Sequence, residues 1–408
     1  MIRSPAPEPC KVLASALVRA AWIALPVLLS ACTGDAIPED AADASGRLVI
    51  VGGALQRDNV EIYRSVLEAT EGEGPFCVIP TASGVPEESM ASAVEAFTEH
   101  GAQLVDGIFI TTDNPEAASD PGIAERLRGC SGFWFVGGSQ SRVVEVFLPE
   151  GRSTPAYDAV IDRYRAGAVV AGSSAGAAIM SPTMIAGGSS AGALAGGVLE
   201  VAPDEDAEIE GVLTELGMGF HNGPVFDQHF LARGRIGRLL VATLAGVGGG
   251  VGFGIDENTA LVVDGRMGRV SGASGVVLVD ARNALGSERG HGGAGVRVHL
   301  MGRDDQIDMN TLAVTAPREK QPVPAGAEPL VAPDDPFARW SFLHLLHAFA
   351  GSDMDRVTMD AHGYEITLER GSTFRALAYG EDGVEGTPAG LSVGPISLSL
   401  ELLPALGP

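Results

Sequence analysis

The chain has 408 residues, 52 of them acidic and 27 basic, for a formal net charge of −25. That length suits one large domain with an appendage or two modest ones. So acidic a surface repels polyanions, which argues against a nucleic-acid partner, and it would draw in a cationic or arginine-rich substrate. The four cysteines show no Cys-x-x-Cys spacing that would suggest a metal site.

At the N-terminus, Arg3, Lys11 and Arg19 precede the apolar run Ala20 to Leu29. This is the basic n-region and short h-region of a secretory signal, too short to span a bilayer. Leu29-Ser30-Ala31-Cys32 resembles the lipobox of bacterial lipoproteins, implying cleavage after residue 31 and a lipid on Cys32. Thr33 is not the aspartate that holds such proteins at the inner membrane, so the resemblance implies an exported protein at the outer membrane, facing periplasm or exterior. Residues 32–46, rich in Ala and Asp, read as a tether. Cys10 leaves with the signal. Cys77 and Cys130 adjoin apolar strand residues and read as two buried thiols, although export permits a disulfide between them.

From Arg47 the pattern is strand and helix in alternation. Apolar runs at 47–55, 76–80, 103–110 and 133–136 read as strands, and amphipathic stretches at 59–69, 87–99 and 115–127 as helices. Unbroken apolar strands between helices argue an α/β domain with a doubly wound, mostly parallel sheet covered on both faces. Ligands gather at the carboxyl ends of such strands. Gly52-Gly53, Thr81-Ala82-Ser83, Gly137-Gly138-Ser139-Gln140 and Gly172 to Gly176 all fall there.

The run Ala168 to Met180 is the centre of the reading. A buried strand meets Gly172-Ser173-Ser174-Ala175-Gly176, and Ala177 to Met180 can open a helix, so Ser174 stands on a strand-to-helix turn with the Ala175 amide beside it. The same six letters recur at Gly188 to Ala193, where the flanking glycines favour a mobile loop, so Ser190 is set aside as nucleophile. Ala245 to Gly254 is glycine-rich enough to suggest dinucleotide binding, but it follows a helix and enters a strand, the wrong context for it.

Pro224 to Phe230 reads as a short strand ending in Asp227-Gln228-His229, with a helix over 232–244 carrying Arg233, Arg235 and Arg238. An imidazole at a strand end can serve as general base, and clustered guanidiniums can hold a carboxylate bidentately. In the strand-like run 251–263, Asp256 and Glu257 point to opposite faces, so only one can orient His229, and spacing does not choose between them.

These blocks, in this order over roughly residues 47–280, resemble the cyanophycinase-like serine peptidases, which are related to dipeptidase E and share a fold like class I glutamine amidotransferases. The resemblance implies Ser174 as nucleophile, His229 as base and Glu257 as orienting acid. It also implies substrate contacts from Gln140, Arg233, Arg235 and Arg238, supported by Asp227 and Gln228, and an oxyanion hole from Ala175 with Gly138 or Ser139. The expected substrate is a β-aspartyl peptide, with cyanophycin, a poly-aspartate carrying arginine on its side chains, as the family polymer. No metal or cofactor is implied, and a homodimer stays open. Another isoaspartyl peptide, or peptide binding without turnover, are the rival readings. Ser173 stands where many relatives carry Thr.

The domain expected from these features covers 47–300. Residues 301–336, rich in Pro and Ala, read as a linker, and 337–408 as a small α+β appendage. His344 and His347 share a helix face there and read as core or surface residues, without a third ligand type nearby.

Overall fold

The computed structural model describes residues 46–404 apart from 71, 73, 202–207 and 325–329. The expected signal segment, the lipidation site Cys32 and nearly all of the tether lie outside those residues. Among them, no helix is long and apolar enough to cross a membrane.

Five apolar runs become strands β1 (Arg47–Val51), β2 (Phe76–Ile79), β3 (Val105–Gly107), β4 (Gly132–Phe135) and β5 (Val169–Ser173). They lie parallel in the order β1-β5-β4-β2-β3. Between them run α1 (Val60–Leu67), α2 (Pro86–Glu99), α3 (Pro121–Arg128), α4 (Gln140–Phe147) and α5 (Pro155–Arg165). Alternate residues of each strand enter different cores. Leu48, Ile50, Phe133, Phe135 and Val170 pack on one face, and Val49, Val51, Trp134, Val169 and Ala171 on the other. Burial on both faces is why these strands read as continuous apolar runs. The helix expected over 115–127 is split into a 3₁₀ turn at Pro115–Ser119 and α3, because Asp120 caps α3 through Gly122 N and Ile123 N and Pro121 takes its first position.

After β5 come α6 (Ala175–Ala178), β6 (Thr183–Gly188), α7 (Ser190–Gly196), β7 (Val198–Leu199) and β8 (Val212–Leu216). Then follow β9 (Val225–Asp227), α8 (Ile236–Leu244), β10 (Val251–Ile255), β11 (Thr259–Asp264), β12 (Met267–Gly272), β13 (Gly275–Asp280), β14 (Leu285–Gly286) and β15 (Gly293–Gly302). The chain ends with β16 (Gln306–Asp308), β17 (Val314–Thr315), β18 (Gln321–Pro322), α9 (Ser341–Gly351), β19 (Arg356–Ala361), β20 (Tyr364–Ala378) and β21 (Ser392–Leu402).

Strands β11, β12, β16 and β17 add antiparallel to the free side of β1, which makes the central sheet mixed. A second sheet, absent from the sequence reading, runs β18-β20-β21-β15-β13-β10-β9. It changes the view of the C-terminal third. Residues 301–336 carry three short strands, two of them at sheet edges, rather than a bare linker. Residues 337–408 do form helix and strands, but β21 pairs with β15 from Gly293↔Leu400 to Leu300↔Val393, so they continue the second sheet. Leu346, Phe349, Leu368 and Leu398 share one hydrophobic cluster with Leu239 and Leu240 of α8.

The expectation of two free thiols is overturned. Cys77 and Cys130 form a disulfide. β2 and β4 are neighbours, and Cys130 enters the turn before β4, which brings the two Cα atoms to 5.9 Å, inside the range a disulfide spans.

Candidate active site

The ends of β1, β4 and β5 meet the β9–α8 and β10–β11 turns at one crevice. Ser174, between β5 and α6, has φ 56° and ψ −109°, a conformation costly for a residue with a side chain. It is held by its own backbone: its amide donates to Val51 O (2.9 Å) and its carbonyl accepts from Ala177 N (2.9 Å) and Ala178 N (3.1 Å). The turn closes because Gly172 faces the Gly176 carbonyl and Gly176 faces the Phe135 carbonyl, where a Cβ would lie 2.6 and 2.3 Å from those oxygens. The hydroxyl is thereby lifted off the strand end.

His229 begins the turn after β9, also left-handed at φ 47°, with its amide donating to Gly52 O (2.6 Å). Gly53 lies under the imidazole, and a Cβ there would sit 2.3 Å from the ring. Nδ1 is 2.6 Å from Glu257 Oε1, and Nε2 is 3.0 Å from Ser174 Oγ. An ionised carboxylate only accepts, so the ring proton belongs on Nδ1 and the Nε2 lone pair faces the hydroxyl. Burial pulls the imidazole below its ordinary range, against the opposing hydrogen bond to Glu257, and so favours the neutral base.

The structure also decides between the two acids. Asp256 is fully buried and accepts from Ala232 N (2.9 Å) and Ser274 Oγ (2.6 Å), pinning the histidine turn from behind. Burial raises its carboxyl to about 6. Glu257 is aimed forward by Asn258, left-handed at φ 50°, whose amide donates to Gly53 O (2.8 Å) and whose Oδ1 accepts from Asn59 Nδ2 (2.8 Å). The sequence assigns no role to Asn258 or Ser274, and to Gly53 only a place at a strand end where ligands gather. The Gly-Gly pair closing an apolar strand was the one signal that pointed to any of them.

Residues 48–270 match the model of peptidase family S51. The chain belongs to that family. It is 30% identical over 274 residues to the cyanophycinase of Trichormus variabilis, covering 64% of this chain and 85% of that one. It is 28% identical over 275 residues to the cyanophycinase of Geminocystis herdmanii, covering 65% and 94%. Among solved structures it is similar to a peptidase from an acI-B1 Actinobacterium, at 18% identity and a TM-score of 0.41 over 59% of this chain and 92% of that chain.

In this S51 peptidase the other expected site residues separate into two groups. Arg238 is not open to substrate: it is buried, with Nε 2.8 Å from Asp227 Oδ2, Nη2 on Asp227 Oδ1, and Nη1 2.7 Å from Gly188 O. Burial opposes ionisation of Asp227, and Arg238, with Arg235 and the Gln228 amide, more than offsets this, so its carboxyl is held below its usual range. Gln140 is likewise buried and donates to Ile185 O (2.8 Å), joining α4 to β6. Arg235 donates to Gln228 O (2.6 Å), and burial lowers it to about 10. Arg233 is half exposed, with Nε 3.9 Å from Glu257 Oε1, which leaves its guanidinium the accessible one of the three. Gln228 reaches Ser174, its Oε1 3.4 Å from Ser174 Oγ. The Ser139 amide is spent on Ala82 O (2.8 Å), leaving Gly138 and Ala175 as the expected oxyanion donors.

The second hexapeptide is not a loop. β6 runs into Gly188, which takes the left-handed turn (φ 94°), and Ser189 caps α7 through Gly192 N (3.0 Å). Ser190 is buried, donating to Gly234 O (2.6 Å) and accepting from Gly237 N (3.0 Å). It anchors the start of α8. The glycine run at 245–254 passes from α8 through a 3₁₀ turn at Val247–Gly250 into β10 and opens no α-helix.

Proposed function

We propose that the chain is a serine-type hydrolase of β-aspartyl peptides, cutting the poly-aspartate backbone of cyanophycin to release β-aspartyl-arginine dipeptides. The observation that carries this reading is the His229 ring bridging Ser174 and Glu257. Ser174 Oγ attacks a backbone carbonyl of the poly-aspartate chain, leaving the β-aspartyl-arginine linkage intact, as its proton passes to His229 Nε2, and the Gly138 and Ala175 amides receive the oxyanion. Collapse breaks the C–N bond, and Nε2 returns the proton to the leaving amine. Water then adds to the acyl-enzyme, giving its proton to Nε2, and the aspartyl backbone carboxylate departs as Ser174 recovers its hydrogen.

Two features favour a substrate bearing both charges. Arg233 offers an exposed guanidinium for a free α-carboxylate. A cleft of about 430 Å³ adjoins Gly137 and Ser173, lined by Trp134, Tyr63 and Glu88, where a carboxylate and aromatic rings suit an arginine side chain. Export as a lipid-anchored protein through Cys32, at the outer membrane, is part of the proposal. The Cys77–Cys130 disulfide supports an oxidising compartment, and polymer released by other cells would then be the natural supply.

The test is to incubate the protein with cyanophycin and assay β-aspartyl-arginine, with Ser174→Ala as control. Release that stops in the variant is expected. Cleavage of other isoaspartyl peptides alone would reject the polymer, and tight binding without turnover would reject the hydrolase.

A further inference from the structure

The catalytic histidine stands on a turn that a distant part of the chain holds from outside. Residues 229–235 close on themselves through Arg233 N to His229 O (3.1 Å), Gly234 N to Leu231 O (3.2 Å) and Arg235 N to Phe230 O (2.9 Å). Asp256 fixes one side through Ala232 N. The other side rests on residues 337–340, about a hundred positions later and beyond the part that matches the family model. Trp340 N donates to Leu231 O (2.9 Å). Gly234, left-handed at φ 60°, lies so close to the Phe337 carbonyl that a Cβ would fall 1.9 Å from its oxygen. The Phe337 ring is buried in one cluster with Phe230, Leu231 and Ile236, and lies 3.2 Å from where a Gly237 Cβ would stand.

The brace is itself fixed. Asp335 Oδ1 accepts from Phe337 N (2.8 Å), Asp335 Oδ2 lies 3.2 Å from His362 Nε2 beside β20, and Trp340 leads into α9. The turn is thus clamped between Asp256 and the tail. A shift of about 1 Å in its backbone would carry Nε2 out of bonding reach of Ser174, and misplacements of that size cost on the order of 10²-fold in rate.

We propose that Phe337–Trp340 is a positioning brace, whose contacts with Leu231, Gly234 and Gly237 hold the His229 imidazole on Ser174. This rests on Ser174 and His229 being nucleophile and base, and not on the identity of the substrate.

The experiment compares the full chain with Phe337→Ala and the milder Phe337→Leu by three measurements. These are the rate at which a fluorophosphonate labels Ser174, the kcat and KM for cleavage of cyanophycin, and an NMR titration of the His229 ring in protein labelled with ¹⁵N-histidine. Phe337→Ala should slow labelling and lower kcat about tenfold or more with KM within about twofold, a loss confined to the transition state. Phe337→Leu should restore most of it. The ring should titrate higher in Phe337→Ala, because Glu257, Arg233 and Arg235, the charged groups facing it, are unchanged while its burial is relaxed. Lower thermal stability with labelling, kcat and titration all as in wild type would overturn the brace. If Phe337→Ala does not fold, Gly234→Ala, which pushes the turn off the Phe337 carbonyl, carries the same expectations. A wild-type chain that neither labels nor cleaves would reject the proposed function, while the titrations of wild type and variant would still judge the brace.

Discussion

Ser174 and Ser190 occupy the third place of one identical hexapeptide, yet only Ser174 has a left-handed backbone. In the first copy the strain sits on the serine, whose hydroxyl faces His229. In the second it sits on Gly188, which bears it at little cost, and Ser190 settles into a helix start with its hydroxyl consumed by Gly234 and Gly237. Local sequence is the same in both; the surroundings decide which residue is strained. Ser174→Ala should therefore lower kcat by about 10⁴-fold or more while leaving the fold intact. Ser190→Ala should spare the activity of folded protein but cost about 1–3 kcal/mol in urea unfolding, because it strands buried partners.

The two neighbouring acids should also part. Glu257→Gln removes the acceptor that sets the ring proton on Nδ1, and kcat should fall by about 10²- to 10⁴-fold with stability nearly unchanged. Asp256→Asn should show its effect first in unfolding, since it disturbs the pairing with Ala232 N and Ser274 Oγ. Steady-state kinetics and urea midpoints on both variants check this.

Among the arginines, Arg233→Ala should raise KM about 10-fold or more with a small change in stability, as expected for an exposed guanidinium that holds a substrate carboxylate. Arg238→Ala leaves the buried Asp227 with only the Gln228 amide and Arg235 at 4.0 Å, and should cost up to about 3–5 kcal/mol. A large KM effect from Arg238→Ala in well-folded protein would contradict its place in the scaffold.

Reduction should weaken the fold. The Cys77–Cys130 bond closes a sequence separation of 53 residues, and constraint of the unfolded chain by such a loop is worth up to about 4 kcal/mol. Urea unfolding with and without a thiol reductant should differ by a large part of that figure, and the Cys77→Ser/Cys130→Ser protein should match the reduced state.

Acid should act on both rate and stability. His229 is held below its ordinary range, so kcat/KM should rise with pH through an apparent pKa under about 6.5, as the neutral base forms. Burial also lowers His221 and His299 to about 4. Between pH 4 and 6.5 the unfolded chain binds protons that these folded imidazoles refuse, so their contribution to stability is complete above 6.5 and is lost as pH falls toward 4. Asp256, raised to about 6, acts in the opposite sense between its ordinary carboxylate range and 6. The slope of urea midpoint against pH should flatten in His221→Phe.

The sequence by itself determined the parallel half of the central sheet, the strand-to-helix turn at Ser174 and the candidacy of His229. Runs buried on both faces and a glycine-flanked serine are local patterns, written in consecutive residues. Tertiary structure decided everything that depends on chains meeting from afar. It chose Glu257 over Asp256, because a turn anchored by Asn258 aims one carboxylate forward while Ala232 and Ser274 bind the other. It withdrew Arg238 and Gln140 into the scaffold, joined Cys77 to Cys130 across adjacent strands, and drew the C-terminal third into a second sheet that reaches back to the histidine turn. Spacing along a chain fixes which way a side chain leaves its own strand, and it carries no record of what another strand brings to meet it.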